Sequence, residues 1–206
     1  MLDRANDLLE RVDKLDEAVS NLQAFRSLSE DLNARTPINL PPQQTEAIGM
    51  VRAAILRSAI ALVVAILDSK GSDRVSLGQI ADLLKDQSFV QFLEKKLYEG
   101  RSAIVDGHKL RAVTDLHQRI YATARFSWVK QLRHDEIGHL LMRKVSTPTV
   151  EYSDIFALVD VIEQLVILLH DGLGIHPPHF TTVKGEALDR AKLFWNTYFA
   201  GVVQRA

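Results

Sequence analysis

The chain contains no cysteine among its 206 residues. Disulfides, thiolate zinc sites, iron–sulfur clusters and a cysteine nucleophile are therefore excluded. The absence agrees with a reducing compartment. Residues 1–7 include three charged side chains and lack the apolar core of a signal peptide. We expect a cytoplasmic protein.

Motifs of several common enzyme classes and long apolar runs are also lacking. There is no glycine-rich phosphate loop and no nucleophile elbow, so triphosphate hydrolysis and serine hydrolysis have no support. The only segment that suggests a membrane span, Ser58 to Leu67, has about half of the roughly 20 apolar residues that a bilayer requires. We expect this segment to form a buried helix and the protein not to enter a membrane.

The composition is that of a globular protein, with 47% hydrophobic and 25% charged residues. The formal net charge of −1 excludes a general polyanion binder steered by its bulk charge. Between Arg101 and Lys144, however, nine basic residues stand against four acids, which gives a segment charge of +5. The segment is either a nucleic-acid-binding surface or a solvated face balanced by acidic neighbours. The RNA-contacting candidates are Arg125, Lys130, Arg143 and Lys144.

Apolar residues recur at helical spacing along most of the chain, and no stretch of strand length alternates with period two. The sequence therefore predicts an all-α fold. In residues 1–36, a seam with steps of three and four predicts an amphipathic N-terminal helix. The seam is Leu8, Val12, Leu15, Val19 and Leu22. This helix serves either for packing along its own bundle, which the short seam favours, or as a dimerisation arm.

Residues 43–206 are predicted to form the helical bundle proper. A very apolar helix from about Gln43 to Leu67 should lie at its centre. Two short helices follow as a small helical insertion, the first capped by Ser76. One long helix is expected from His108 to about Leu132. Another should begin at Tyr152 and stop at Gly172 and Gly174, and a last one should run from about Gly185 to Val203.

Aromatic side chains at helical spacing near the ends of two of these helices are expected to pack in the core or at an interface. They are Phe126, Trp128, Phe194, Trp195 and Tyr198.

The most informative motif is Arg133-His134-Asp135-Glu136-Ile137-Gly138-His139, just after the predicted long helix. Histidine titrates near neutral pH and can transfer a proton, while guanidinium grips phosphate in a planar fork. Arg133 and His139 would lie about 120° apart around an unbroken helix. They converge only through an irregularity, which Gly138 could supply, or through a second copy of the chain.

This motif resembles the signature of the HEPN superfamily, in which an arginine, a polar residue and a histidine four to six residues after the arginine lie on a helical bundle. The similarity extends over roughly residues 45–172, in the order found in the abortive-infection AbiU-like branch. The matching segments are Arg57 to Leu62, Ser72 to Leu84, Leu132 to His139 and Tyr152 to Phe156.

The resemblance implies a HEPN-like helical bundle, a homodimer with the motifs facing each other, and metal-independent endoribonuclease activity in defence or toxin–antitoxin systems. His139 would transfer the proton, Arg133 would clamp the phosphate, and His134 would orient it. An antitoxin protein is a possible further partner. Two other interpretations remain: a catalytically silent HEPN module that binds a protein or nucleic acid, and an Arg133 that merely pairs with Asp135 or Glu136.

No metal or other cofactor is expected. Glu136 and His139 form one Glu-x-x-His pair, and a di-metal bundle would need a second. His170, His176 and His179 lie around a proline turn near Asp171. Because their spacing is loose, we expect helix caps and surface residues at these positions and not metal ligands.

Overall fold

The computed structural model describes residues 1–35, 41–68, 76–96, 104–134 and 152–203. These ranges contain helices and no strand, which confirms the all-α prediction. Eight helices are described: α1 (Leu2–Ala34), α2 (Pro42–Leu67), α3 (Leu77–Leu84), α4 (Gln87–Lys96), α5 (Gly107–Tyr121), α6 (Ala124–Leu132), α7 (Tyr152–Leu173) and α8 (Phe180–Val203).

Helix α1 packs against α8, α2 and α7 of its own chain. Every residue of its predicted seam, from Leu8 to Leu22, is fully buried and belongs to the main core. Polar contacts add to this packing, because Gln23 donates to Glu163 on α7 over 2.9 Å and Arg26 pairs with Asp160. The seam is therefore occupied within the chain.

Helix α2 differs from the prediction, because only its C-terminal half lies in the main core. There Ile60, Val63 and Leu67 are at most 1% exposed, whereas Met50 in the N-terminal half is 66% exposed. Its 26 residues are long and apolar enough to cross a membrane, although core helices of soluble proteins also meet this criterion. The high apolar content of α2 led to an overestimate of its burial, because alanine and methionine are also accommodated at a helix surface.

The two short helices form at the predicted places. Ser76 caps α3, since its hydroxyl accepts a hydrogen bond from the Gln79 N–H over 3.1 Å. Asp86 precedes α4 and accepts from the Ser88 and Phe89 backbones, and it also pairs with Arg4 of α1 at 2.9 Å. The hydrogen bond that the Ser88 hydroxyl donates to Asp86, followed by that of Arg4, holds the pKa of Asp86 below its usual range.

The single long helix predicted from His108 to Leu132 is wrong, because α5 ends at Tyr121 and α6 begins at Ala124. Thr123 makes the break. Its hydroxyl donates to the Ile120 carbonyl over 2.7 Å and accepts from the Phe126 N–H, which caps α6. No proline or glycine marks the position, so helical spacing continued across it in the sequence.

Helix α7 begins at Tyr152 and ends at Leu173, beside the glycines that were predicted to stop it. It lies close against α5, where a Cβ on Gly172 would meet Leu110 Cδ2 at 2.7 Å. The Asp106 N–H also donates to the Gly172 carbonyl over 2.8 Å. Gly174, with φ 65°, turns the chain after the helix.

Helix α8 begins at Phe180, five residues before the predicted start. Trp195 is fully buried, and its indole N–H donates to the Leu28 carbonyl of α1 over 3.0 Å. Phe194 was also predicted to pack in the core or at an interface, but this residue is 48% exposed in the chain. Its neighbour Leu193 is 68% exposed.

Candidate active site

Helix α6 positions the first two residues of the motif. Phe126 and Val129 are buried and fix the helix against the bundle. Arg133 follows its last residue with φ −58° and ψ −42°, and its N–H still donates to carbonyls in the preceding turn. Arg133 therefore continues the helical path, which agrees with the prediction that the motif begins at a helix end.

The side chain of Arg133 is half-buried. Among the described residues, no hydrogen bond or ion pair engages its guanidinium. His134 is exposed beside it. A guanidinium without a carboxylate partner can donate two parallel hydrogen bonds from its planar fork to the oxygens of a phosphate.

The remaining motif residues, including His139, Gly138 and the acidic pair Asp135 and Glu136, lie outside the described residues. The same holds for Arg143 and Lys144. The convergence of Arg133 with His139 stays a prediction.

Arg125, predicted to contact RNA, is engaged within the chain. Its Nε donates to Asp154 Oδ1 of α7 over 3.0 Å, with the arginine side chain 49% exposed. The pair ties the first turn of α6 to the first turn of α7. Because it is exposed, it contributes little to stability and can exchange for another anion.

Lys130 makes more contacts within the chain than Arg125 does. Its ammonium lies 2.9 Å from Asp68 Oδ2 and 3.2 Å from the Tyr121 hydroxyl oxygen, and 5.2 Å from the centre of the Tyr121 ring. Partial burial alone lowers the pKa of Lys130, but the hydrogen bonds to Asp68 and Tyr121 and their charges raise it above its usual range. Lys130 is thus a permanent cation that carries its own counterion.

The described part of the basic segment therefore carries less unpaired positive charge than its sequence suggested. Both cations predicted to bind RNA on α6 are matched by carboxylates from elsewhere in the chain, Asp154 and Asp68. Arg133 differs from them, because the described residues offer it no such carboxylate. If α6 binds a phosphate, Arg133 is the residue placed to do so.

Near Lys130, His117 makes a contact that the sequence did not reveal. His117 is 7% exposed, and its Nε2 lies 2.9 Å from the Leu67 carbonyl at the end of α2. This carbonyl has no partner within its own helix, so the histidine caps α2. No local pattern in the sequence indicates this contact, because the two residues are 50 positions apart.

His170, near the end of α7, has a structural role. His170 is 4% exposed, with Nε2 3.0 Å from Asp16 Oδ1 and Nδ1 2.9 Å from the His176 carbonyl oxygen. The prediction of caps or surface residues is wrong for His170, which links α7, α1 and the following turn. His176 and His179 are exposed. Within the described ranges no group of three potential ligands could hold a metal ion.

Comparisons of the chain with protein-family models, with curated proteins and with solved structures find no significant match.

Proposed function

We propose that the chain is a metal-independent endoribonuclease of the HEPN type, similar to the abortive-infection AbiU-like branch. It would act in the cytoplasm as a homodimer, in a defence or toxin–antitoxin role in which an antitoxin protein can hold it inactive. One observation carries the proposal. Arg133, at the end of α6, has no carboxylate partner among the described residues, whereas Arg125 and Lys130 on the same helix do.

The reaction follows from the chemistry of the motif. The 2′-hydroxyl of RNA attacks the adjacent phosphorus, a bond to the 5′-oxygen breaks, and the products carry a 2′,3′-cyclic phosphate and a 5′-hydroxyl. His139 transfers the proton between these oxygens. Arg133 stabilises the charge that develops on the phosphoryl oxygens, and His134 orients the phosphate. No metal ion or other cofactor takes part.

The experiment is cleavage of a mixed RNA pool by the purified protein in excess chelator. Arg133→Ala and His139→Ala should each lower the rate by about a hundredfold or more, because a lost transition-state donor has an effect of this size. Arg119→Ala is the matched control, since Arg119 is an exposed arginine on α5 in the same basic segment. It should retain activity. Circular dichroism of each variant checks that the helices remain.

A second candidate is a catalytically silent HEPN module that binds a protein or nucleic acid. Two observations favour it: the cations of α6 are neutralised within the chain, and Leu193 and Phe194 on α8 expose apolar surface. Folded wild-type protein without cleavage under any tested condition would support this candidate. Cleavage unaffected by Arg133→Ala would refute the role of the motif.

A further inference from the structure

A cavity of about 230 Å³ lies between the C-terminal ends of α3 and α5. Its lining residues are Asp82, Lys85, His117, Gln118, Tyr121 and Ala122. Since one water occupies about 30 Å³ of liquid, the cavity has room for roughly seven waters, or for one planar molecule of about ten non-hydrogen atoms. It is too small for most drug-sized ligands.

The buried polar residue among those that line the cavity is His117, which is 7% exposed. Its Nε2 lies 2.9 Å from the Leu67 carbonyl, which can only accept, so the proton of a neutral ring is on Nε2. Nδ1 then carries a lone pair, and among the described residues it has no donor. Nδ1 can therefore accept a hydrogen bond from a ligand with an N–H or O–H group.

The other lining groups indicate which kind of ligand the cavity can bind. Tyr121 is 36% exposed and offers an aromatic ring on which a planar molecule can stack. Gln118 is exposed at the same rim, with an amide that both donates and accepts. Lys85 and Asp82 pair with each other at 2.6 Å, so their charges largely cancel. The cavity favours an uncharged, planar ligand with hydrogen-bonding edges.

We propose that this cavity binds one nucleobase of the RNA, close to the phosphate held by Arg133; the assignment rests on the proposed function. Its place on the bundle supports the link. The Tyr121 ring contacts Lys130, and Lys130 precedes Arg133 by three residues, or about 4.5 Å along the helix axis. A base stacked on Tyr121, with its edge toward His117 and Gln118, would give cleavage a sequence preference.

The test is calorimetric titration of the protein with adenosine, guanosine, cytidine and uridine, which contain no phosphodiester and report on the cavity without catalysis. At least one nucleoside should bind saturably. His117→Gln keeps a donor for the Leu67 carbonyl but removes the Nδ1 acceptor, and should weaken binding about three- to tenfold. Tyr121→Leu removes the stacking surface and should weaken it roughly fivefold or more. His179→Gln, at an exposed histidine elsewhere, is the control.

Arg133→Ala separates the two proposals. Nucleoside binding that survives Arg133→Ala and is weakened by His117→Gln supports the cavity, whether or not the protein cleaves RNA. No saturable binding of any nucleoside, or binding that His117→Gln and Tyr121→Leu leave unchanged, overturns it. If RNA is cleaved, sequencing of the ends should show a base preference that His117→Gln reduces; an unchanged preference would also overturn the proposal.

Discussion

Replacing His170 should change how the stability of the protein depends on pH. Both ring nitrogens of His170 face oxygen acceptors, Asp16 Oδ1 at 3.0 Å and the His176 carbonyl at 2.9 Å. Satisfying both at once requires a hydrogen on each nitrogen, which is the charged imidazolium. Burial lowers the pKa of His170, but the bond and charge of Asp16, the His176 carbonyl and the charge of Asp13 raise it above 6.5.

The sign of the effect follows from linkage. Because the folded protein holds the proton more tightly than the unfolded chain, the stabilisation is fully present below about pH 6.5 and is lost as the pH rises through the folded pKa. Each unit of difference contributes about 1.4 kcal/mol. Breaking a fully buried pair costs about 3–5 kcal/mol. Asp16 is 24% exposed, so we expect His170→Gln to cost about 2 kcal/mol near pH 6 and less at higher pH.

The assay is urea unfolding of the wild type, His170→Gln and His179→Gln from about pH 5.5 to about pH 9.5, with intervals of about one unit. The stability difference between the wild type and His170→Gln should shrink as the pH rises. The control at exposed His179 should follow the wild type. A difference that stays constant or grows with pH would refute the assignment of a buried imidazolium.

Three further substitutions test the packing. Ser76→Ala removes the cap of α3 and should lower the free energy of unfolding by about 1 kcal/mol, measured by urea unfolding against Ser76→Asp, which retains a capping oxygen. Gly172→Ala places a Cβ 2.7 Å from Leu110 and should cost about 1–3 kcal/mol, whereas Gly185→Ala, which meets nothing within 4 Å, should not destabilise. Trp195→Ala empties a fully buried site and should cost about 3–5 kcal/mol in the same assay.

Local patterns in the sequence predicted most of the fold. The seam of α1 repeats with the helical period, so its burial could be read directly from Leu8 to Leu22. The cap at Ser76 has an equally local signal. The break at Thr123 could not be read, because threonine is compatible with a helix interior and only its bonds to Ile120 and Phe126 make it a cap.

The candidate site was less accessible to sequence reasoning, because its contacts join distant segments. Arg125 and Lys130 suggested free cations, and only the fold brings Asp154 and Asp68 to them. The bond of His117 to the end of α2 is likewise long-range. Arg133 could be placed at a helix end because the motif follows a periodic apolar run, and it keeps that position in the structure.

The chemical identity of the new RNA ends tests the proposed mechanism most directly. RNA fragments produced in excess chelator would be analysed by mass spectrometry for their terminal groups, with Arg133→Ala as the reference for contaminating nucleases. Attack by the 2′-hydroxyl predicts a 2′,3′-cyclic phosphate and a 5′-hydroxyl, formed by the wild type and not by Arg133→Ala. Fragments ending in a 3′-hydroxyl and a 5′-phosphate, or cyclic phosphates formed equally by both proteins, would contradict it.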